Sequence, residues 1–166
     1  MFPLRSSCGT LTLAILLTAC GNSEQPTTTS GGAASPATMA VNAEMGKSLP
    51  LDDQQDFEDA SRGLIASQQP LTVTQADGKT LWDLSAYDFV KGDAPDSVNP
   101  SLWRQTKLNN INGLFEVTKG VYQLRGFDLA NISLIQGKTG WILVDPLTTA
   151  PTARNALAFA RKQLGE

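Results

Sequence analysis

The sequence predicts a mixed α/β domain, a sheet with helices on at least one side. Three observations carry this. Four strand-like runs follow one another between residues 114 and 144, each pair joined by a Gly-containing turn. Capped helices flank them, one opening at Asn99-Pro100 and one near Thr148-Thr149. Upstream stand a further helix and a hairpin. The order is therefore helix, hairpin, helix, four antiparallel strands, helix, which packs as helices on a sheet.

The first nineteen residues are read apart from this domain. MFPLRSSCGTLTLAILLTA carries one positive charge, Arg5, and a short apolar stretch over Leu11–Leu17. It is too short for an ordinary membrane span and reads as a secretory signal. Leu17-Thr18-Ala19-Cys20 resembles the bacterial lipobox. That implies cleavage before Cys20 and lipidation of its thiol. An ordinary signal peptide with Cys20 incidental is the alternative. Gly21 and Asn22 differ from an inner-membrane retention signal, so the expected home is a lipid-anchored position in the periplasm or at the outer membrane. Each buried CH2 of an acyl chain adds about 0.8 kcal/mol of membrane affinity.

Residues 20–50 are rich in Thr, Ser, Gly, Ala and Pro and poor in large apolar residues. Such a composition does not offset the entropy of ordering, so a flexible linker is expected. The folded part is expected over 51–166.

Within it, Asp52 with Gln55 three residues later has the form of a capping box. Phe57, Ala60 and Leu64 follow at helical spacing, and Pro70 ends the segment. Two short strands around Asp77-Gly78 make a hairpin, and SAYDFV forms one helical turn. The helix from Asn99-Pro100 runs to about Ile111; Leu102, Trp103 and Gln105 form no clean stripe, so it is expected half buried. Strands are expected over Leu114–Thr118, Val121–Arg125, Ile132–Gln136 and Trp141–Val144. The last two are nearly continuous apolar runs, which suits strands covered on both faces. Thr148 or Thr149 caps the final helix, with Pro151 in its first turn and Ala153, Leu157, Ala160 and Leu164 on an apolar face.

The chemistry open to these residues is narrow. The net charge of -3 gives no basic footprint, so nucleic acid is not an expected partner. The chain has no histidine, and its two cysteines, Cys8 and Cys20, both lie in the first twenty residues. The usual neutral-pH acid/base group and the commonest metal ligands are thus missing from the folded part. Asp52, Asp53, Asp56, Glu58 and Asp59 form the densest acidic cluster. At a helix start they read as a solvated N-terminus favoured by the helix dipole, and their spacing does not make a calcium loop. Lys138, between Gly137 and Gly140, belongs to a hairpin turn and not to a phosphate loop. Arg125, Asp128 and Asn131 invite an anion-binding reading; an Arg125–Asp128 turn ion pair is the simpler one. Trp82, Trp103 and Trp141 are read as core or layer-packing residues.

Taken together, DFEDASRGLIA, DGKTLWDLSAYDFV and SVNPSLWRQTKLNNINGLFEVTKGVYQLRGFDLANISLIQGKTGWILVDPLTTAPTA resemble the N-terminal part of the linear alkyl sulfatases. These are secreted enzymes of the metallo-β-lactamase superfamily. The resemblance spans about Asp52 to Glu166. It implies the N-terminal part of a metallo-β-lactamase-like αββα sandwich, incomplete in this chain. In the family the next strand carries a His-x-His-x-Asp-His motif that binds two zinc ions. Zinc-bound hydroxide then assists cleavage of an alkyl sulfate into an alcohol and inorganic sulfate. The resemblance therefore implies a fragment short of every metal ligand, inactive alone, that binds no zinc itself. It also implies a downstream dimerisation region, hence a homodimer for the complete protein.

Within this resemblance Asp145 is a structural residue that supports the metal-binding loop and is not a zinc ligand. Read from its place alone, it caps the following turn with Thr148 or Thr149; the two readings are compatible. The alternative to a fragment of an enzyme is a non-catalytic lipoprotein module for binding or assembly.

Overall fold

The computed structural model describes residues 33–165. The expected signal segment and Cys20 lie outside them. Among the described residues no helix is long and apolar enough to cross a membrane.

Within the expected linker of 20–50, of which residues 33–50 are described, one segment is helical. Helix α1 occupies Pro36–Ser48. The local chemistry explains it: Ser35 accepts a hydrogen bond from the Thr38 amide at 3.2 Å and Pro36 stands in the first turn. None of its residues is buried. The Asn42 side chain donates to the carbonyl of Asp96 at 2.8 Å.

Helix α2, Gln55–Ser61, has Gln54 at its N-cap and so starts two residues later than the Asp52 capping box predicts. Asp53 and not Asp52 holds the entry, accepting from the Gln55 amide at 2.9 Å. The helix also ends sooner. Gly63, with φ of 73°, turns the chain, and Leu64–Ala66 becomes strand β1. Leu64 thus leaves the helical spacing that links it to Phe57 and Ala60. Its strand pairs antiparallel with a strand almost fifty residues away, a long-range gain that local spacing does not reveal.

The remaining elements lie close to expectation. Strands β2, Thr72–Thr74, and β3, Thr80–Asp83, form the hairpin around Asp77-Gly78, and Leu84–Tyr87 makes a single 3-10 turn. Helix α3, Pro100–Asn109, is capped by Asn99, whose Oδ1 accepts from the amides of Ser101 and Leu102 at 2.9 and 3.4 Å. Strands β4 (Gly113–Thr118), β5 (Val121–Arg125), β6 (Ile132–Gln136) and β7 (Trp141–Val144) follow, then helix α4, Ala150–Leu164. Thr149 is its cap and Pro151 sits in its first turn.

The main sheet has the order β1-β4-β5-β6-β7, antiparallel throughout; β2 and β3 form a separate pair. Side chains alternate across it. One face presents Leu114, Leu124, Ile132 and Leu134, and these bury against Ala156 and Ala160 of α4, with Leu71 and Phe127 in the same cluster. Phe127 meets Phe159 of α4 at 5.5 Å between ring centres. Each of these Leu, Ile and Phe side chains contributes roughly 1.5–3 kcal/mol on burial. The buried stripe of α4 is Thr152, Ala156 and Ala160, so Ala153 falls beside the stripe and only half buried.

Strand β7 departs from the expectation of cover on both faces. Ile142, Leu143 and Val144 are 59%, 41% and 50% exposed. The strand lies at the open edge of the sheet, where β6 is its single neighbour among the described residues.

Candidate functional site

Open α/β sheets place their sites at strand ends, where loops meet helix starts. Here that place is the connection from β7 to α4. It is built from unfavourable backbone. Asp145 and Leu147 have φ of 54° and 70°, the left-handed region that costs an L-residue about 1–2 kcal/mol. Something must hold them there.

The holder is Asp128, in the turn between β5 and β6. Its Oδ1 accepts from the Leu129 amide at 2.6 Å. Its Oδ2 accepts from the Thr148 amide at 3.1 Å and from the Thr152 hydroxyl at 2.5 Å. The Thr148 hydroxyl lies 2.7 Å from both carboxylate oxygens. Thr149 completes the cap, its hydroxyl oxygen taking the Thr152 amide at 3.3 Å. One buried carboxylate thus ties the β5–β6 turn, the β7–α4 connection and the first turn of α4 together. Burial alone would raise the Asp128 pKa. The hydrogen bonds from Thr152, Thr148 and the two amides outweigh it and hold the carboxyl below its ordinary value.

This network corrects two expectations. The Arg125–Asp128 ion pair does not form, because the two side chains are committed elsewhere. The Arg125 guanidinium stacks over Phe115 at 4.2 Å and donates to Gln123 Oε1 at 2.7 Å and to the carbonyl of Ala60 at 3.2 Å. Burial lowers its pKa from the ordinary value, and a guanidinium stays charged regardless. Nor does Asp145 cap the turn. It is exposed, and its side chain makes no hydrogen bond among the described residues; Thr149 and Asp128 do that work. Arg125, Asp128 and Asn131 do share a cleft of about 440 Å3, with Trp82, Tyr87 and Asn110 among its other walls.

The tryptophans are packing residues, and two of them have satisfied polar ends. Trp82 Nε1 donates to the Gly126 carbonyl at 2.8 Å and Trp103 Nε1 to that of Gly92 at 3.2 Å. Trp141 meets Tyr122 edge-on at 5.8 Å. In the acidic cluster, Asp56 pairs with Arg104 at 2.7 Å and Asp59 with Arg62. Arg104 went unnoticed in the sequence. It also donates to the carbonyls of Leu51 and Asp53 and lies 5.2 Å over the Phe57 ring, so α3 fixes the entry to α2 through it.

A metal pair does not fit these residues. Among residues 33–165 there is neither His nor Cys, and no group of three or more acidic side chains is placed to hold an ion.

No protein-family model matches the chain. Individual proteins do. Over 127 residues, 75% of the chain, it is 53% identical to an (R)-specific secondary-alkylsulfatase of a Pseudomonas species. It is 47% identical over 126 residues to a linear primary-alkylsulfatase, also from Pseudomonas. It is 44% identical over 123 residues to the alkyl/aryl-sulfatase BDS1 of Saccharomyces cerevisiae. Along that stretch the chain is homologous to alkylsulfatases. The structure agrees: the stereoselective inverting sec-alkylsulfatase Pisa1 from Pseudomonas superposes with a TM-score of 0.76 at 50% identity, covering 80% of this chain. The mixed α/β class is thereby borne out, and the arrangement is consistent with an incomplete metallo-β-lactamase-like fold. The chain spans about a fifth of the length of these alkylsulfatases, 19% of the curated relatives and 21% of the Pisa1 chain.

Proposed function

We propose that this chain is the N-terminal portion of an alkylsulfatase, a sulfuric ester hydrolase acting on sulfate esters of linear, detergent-type alcohols. The observation that supports it is 53% identity over 127 residues to a secondary-alkylsulfatase, together with the superposition on the Pisa1 fold. In this reading the portion is a scaffold. It presents the strand end and the Asp128 network to groups supplied by the rest of a longer polypeptide. The ligands of two zinc ions would come from that remainder, because residues 33–165 do not fit them. Asp145, exposed and held in a left-handed conformation, is proposed to support the neighbouring loop of the completed site.

A chimera tests this. The chain replaces the matched stretch of the Pseudomonas secondary-alkylsulfatase, and sulfate release from an alkyl sulfate is measured. Turnover within about tenfold of the parent is expected; a folded chimera without turnover would sink the reading. The 166-residue chain alone, with zinc added, should release no sulfate. EDTA-sensitive turnover by the chain alone would show that its scaffold role is wrong.

The proposed location is the periplasmic side of a membrane, through a lipid on Cys20. Cys20→Ser should move the protein from the membrane fraction to the soluble one. A variant that stays with the membranes would rule out the lipid anchor.

A further inference from the structure

Charges taken out of water are normally paired; Arg125 is not. Its guanidinium is half-buried and stays charged, yet its contacts are all neutral: the Phe115 ring, Gln123 Oε1 and the carbonyl of Ala60. Nε and Nη1 make the two hydrogen bonds, so Nη2 has no hydrogen-bond partner among the described residues. The ion pairs among those residues join Lys47 to Glu44, Arg62 to Asp59, Lys79 to Asp77 and Arg104 to Asp56, and Arg125 is in none of them. Burial lowers its pKa and no neighbouring negative charge offsets that. A bound anion would.

Arg125 is one wall of the cleft of about 440 Å3 beside the Asp128 network. That is the size of a small-molecule site, which runs from about 300 to 1,000 Å3. Asp128 is the other charged wall, and its oxygens are already filled by the Leu129 and Thr148 amides and the Thr148 and Thr152 hydroxyls. Much of the remaining wall is apolar: Trp82, Tyr87, Ile111 and Leu129. The Trp82 N–H is taken by the Gly126 carbonyl, so its ring is what it offers the cleft. Leu129 is 85% exposed, the most exposed large apolar side chain among the described residues. Asn131 adds an exposed side-chain amide. One cleft thus holds an unanswered cation and an uncovered apolar wall.

We propose that this cleft binds an amphiphilic organic anion, a linear apolar chain with an oxyanion head. The head takes Arg125 Nη2 and the Asn131 amide; the chain lies over Trp82, Tyr87 and Leu129. The proposal concerns binding by this chain alone and does not rest on sulfate hydrolysis. It and the turnover of the chimera can therefore fail independently.

The test is titration of the 166-residue chain with octyl sulfate below its micelle concentration, followed by calorimetry and tryptophan fluorescence. Saturation at one molecule per chain is expected. Each CH2 added to the probe should tighten binding about two- to fourfold, as for a chain partly to fully buried. Octyltrimethylammonium has the same chain and the opposite charge, and should bind at least about tenfold more weakly. Octanoate is the second anion; binding of either supports the proposal, and the tighter one assigns the head. Arg125→Gln should weaken octyl sulfate at least about tenfold, the effect of losing a charged hydrogen-bond donor. Leu129→Ser serves if that variant does not fold. Its exposed side chain leaves the melting temperature unchanged, and the affinity should fall about threefold or more. No binding of either anion by the folded wild-type chain would overturn the proposal. So would equal binding of the cationic probe, undiminished affinity in a folded variant, or uptake of many molecules per chain that neither substitution alters.

Discussion

Asp128→Ala is expected to lower stability by about 3 kcal/mol, measured by urea unfolding at neutral pH. The carboxylate is 7% exposed and accepts two amide and two hydroxyl hydrogen bonds. Hydrogen bonds to a charged group contribute about 1.5–3 kcal/mol each, and a buried donor left without a partner adds its own desolvation cost. The hydroxyls can recover in part, since the Thr152 Oγ1 already lies 2.9 Å from the carbonyl of Thr149. The amides of Leu129 and Thr148 have no such second partner among the described residues. The left-handed Asp145 and Leu147 would also lose the tie that holds their segment. Asp128→Asn keeps one acceptor oxygen and should lose less than the alanine variant.

The pH dependence follows with a definite sign. Asp128 has a folded pKa below its unfolded value of about 3.9. The unfolded chain then binds the proton more readily, so folding is favoured where both forms are ionised. Its contribution is fully present above about pH 4 and is lost as the pH falls through the lower, folded value. Wild-type stability should therefore drop more between pH 5 and 2 than that of Asp128→Asn. A steeper loss in the Asn variant would mean that burial, not the hydrogen bonds, governs this carboxyl.

Much of the sheet is legible because its signals are local. Lys119-Gly120 and Gly137–Gly140 mark turns, and the runs between them give β5, β6 and β7 their observed limits. Asn99-Pro100 marks α3 equally well. What escapes is what depends on distant partners. Strand β1 is hidden because Leu64 also fits the helical spacing of Phe57 and Ala60, and its pairing with Phe115 lies far along the chain. The Asp128 network is hidden for the same reason, since Thr148 stands twenty residues away. A signal did exist: Thr148 and Thr152 are four apart at a helix start, so both hydroxyls can reach one acceptor. Arg104 anchors residues about fifty positions upstream, and nothing in NPSLWRQ announces it. Helix α1 was masked by composition, although Ser35-Pro36 is a sound helix opening. The apolar run of β7 does signal cover on two faces; within residues 33–165 that cover is not complete.

Gly63→Ala should cost more than Gly78→Ala, and the comparison isolates one physical cause. The two glycines have nearly the same backbone, with φ of 73° and 83°. An alanine in that conformation loses about 1–2 kcal/mol at either position. Their surroundings differ. At Gly78, in the β2–β3 turn, an added methyl meets nothing within 4 Å. At Gly63 it would be driven against the carbonyl of Glu116, far inside van der Waals contact. That carbonyl belongs to β4, and the Glu116 amide donates to the Gly63 carbonyl at 2.8 Å. The backbone cannot move aside without breaking the start of the β1–β4 pairing. Overpacking of this kind adds about 1–3 kcal/mol, so the expected losses are about 1–2 kcal/mol at Gly78 and about 2–5 kcal/mol at Gly63. The damage at Gly63 should also be local first. Hydrogen exchange should accelerate at Leu64–Ala66 and at Glu116 while β5 and β6 stay protected, because the core beneath α4 does not depend on β1. Equal losses in the two variants would mean that β1 is attached too loosely for its contact with β4 to count. The sheet would then be held by β4 to β7 alone, and the turn at Gly63 would serve only to end α2.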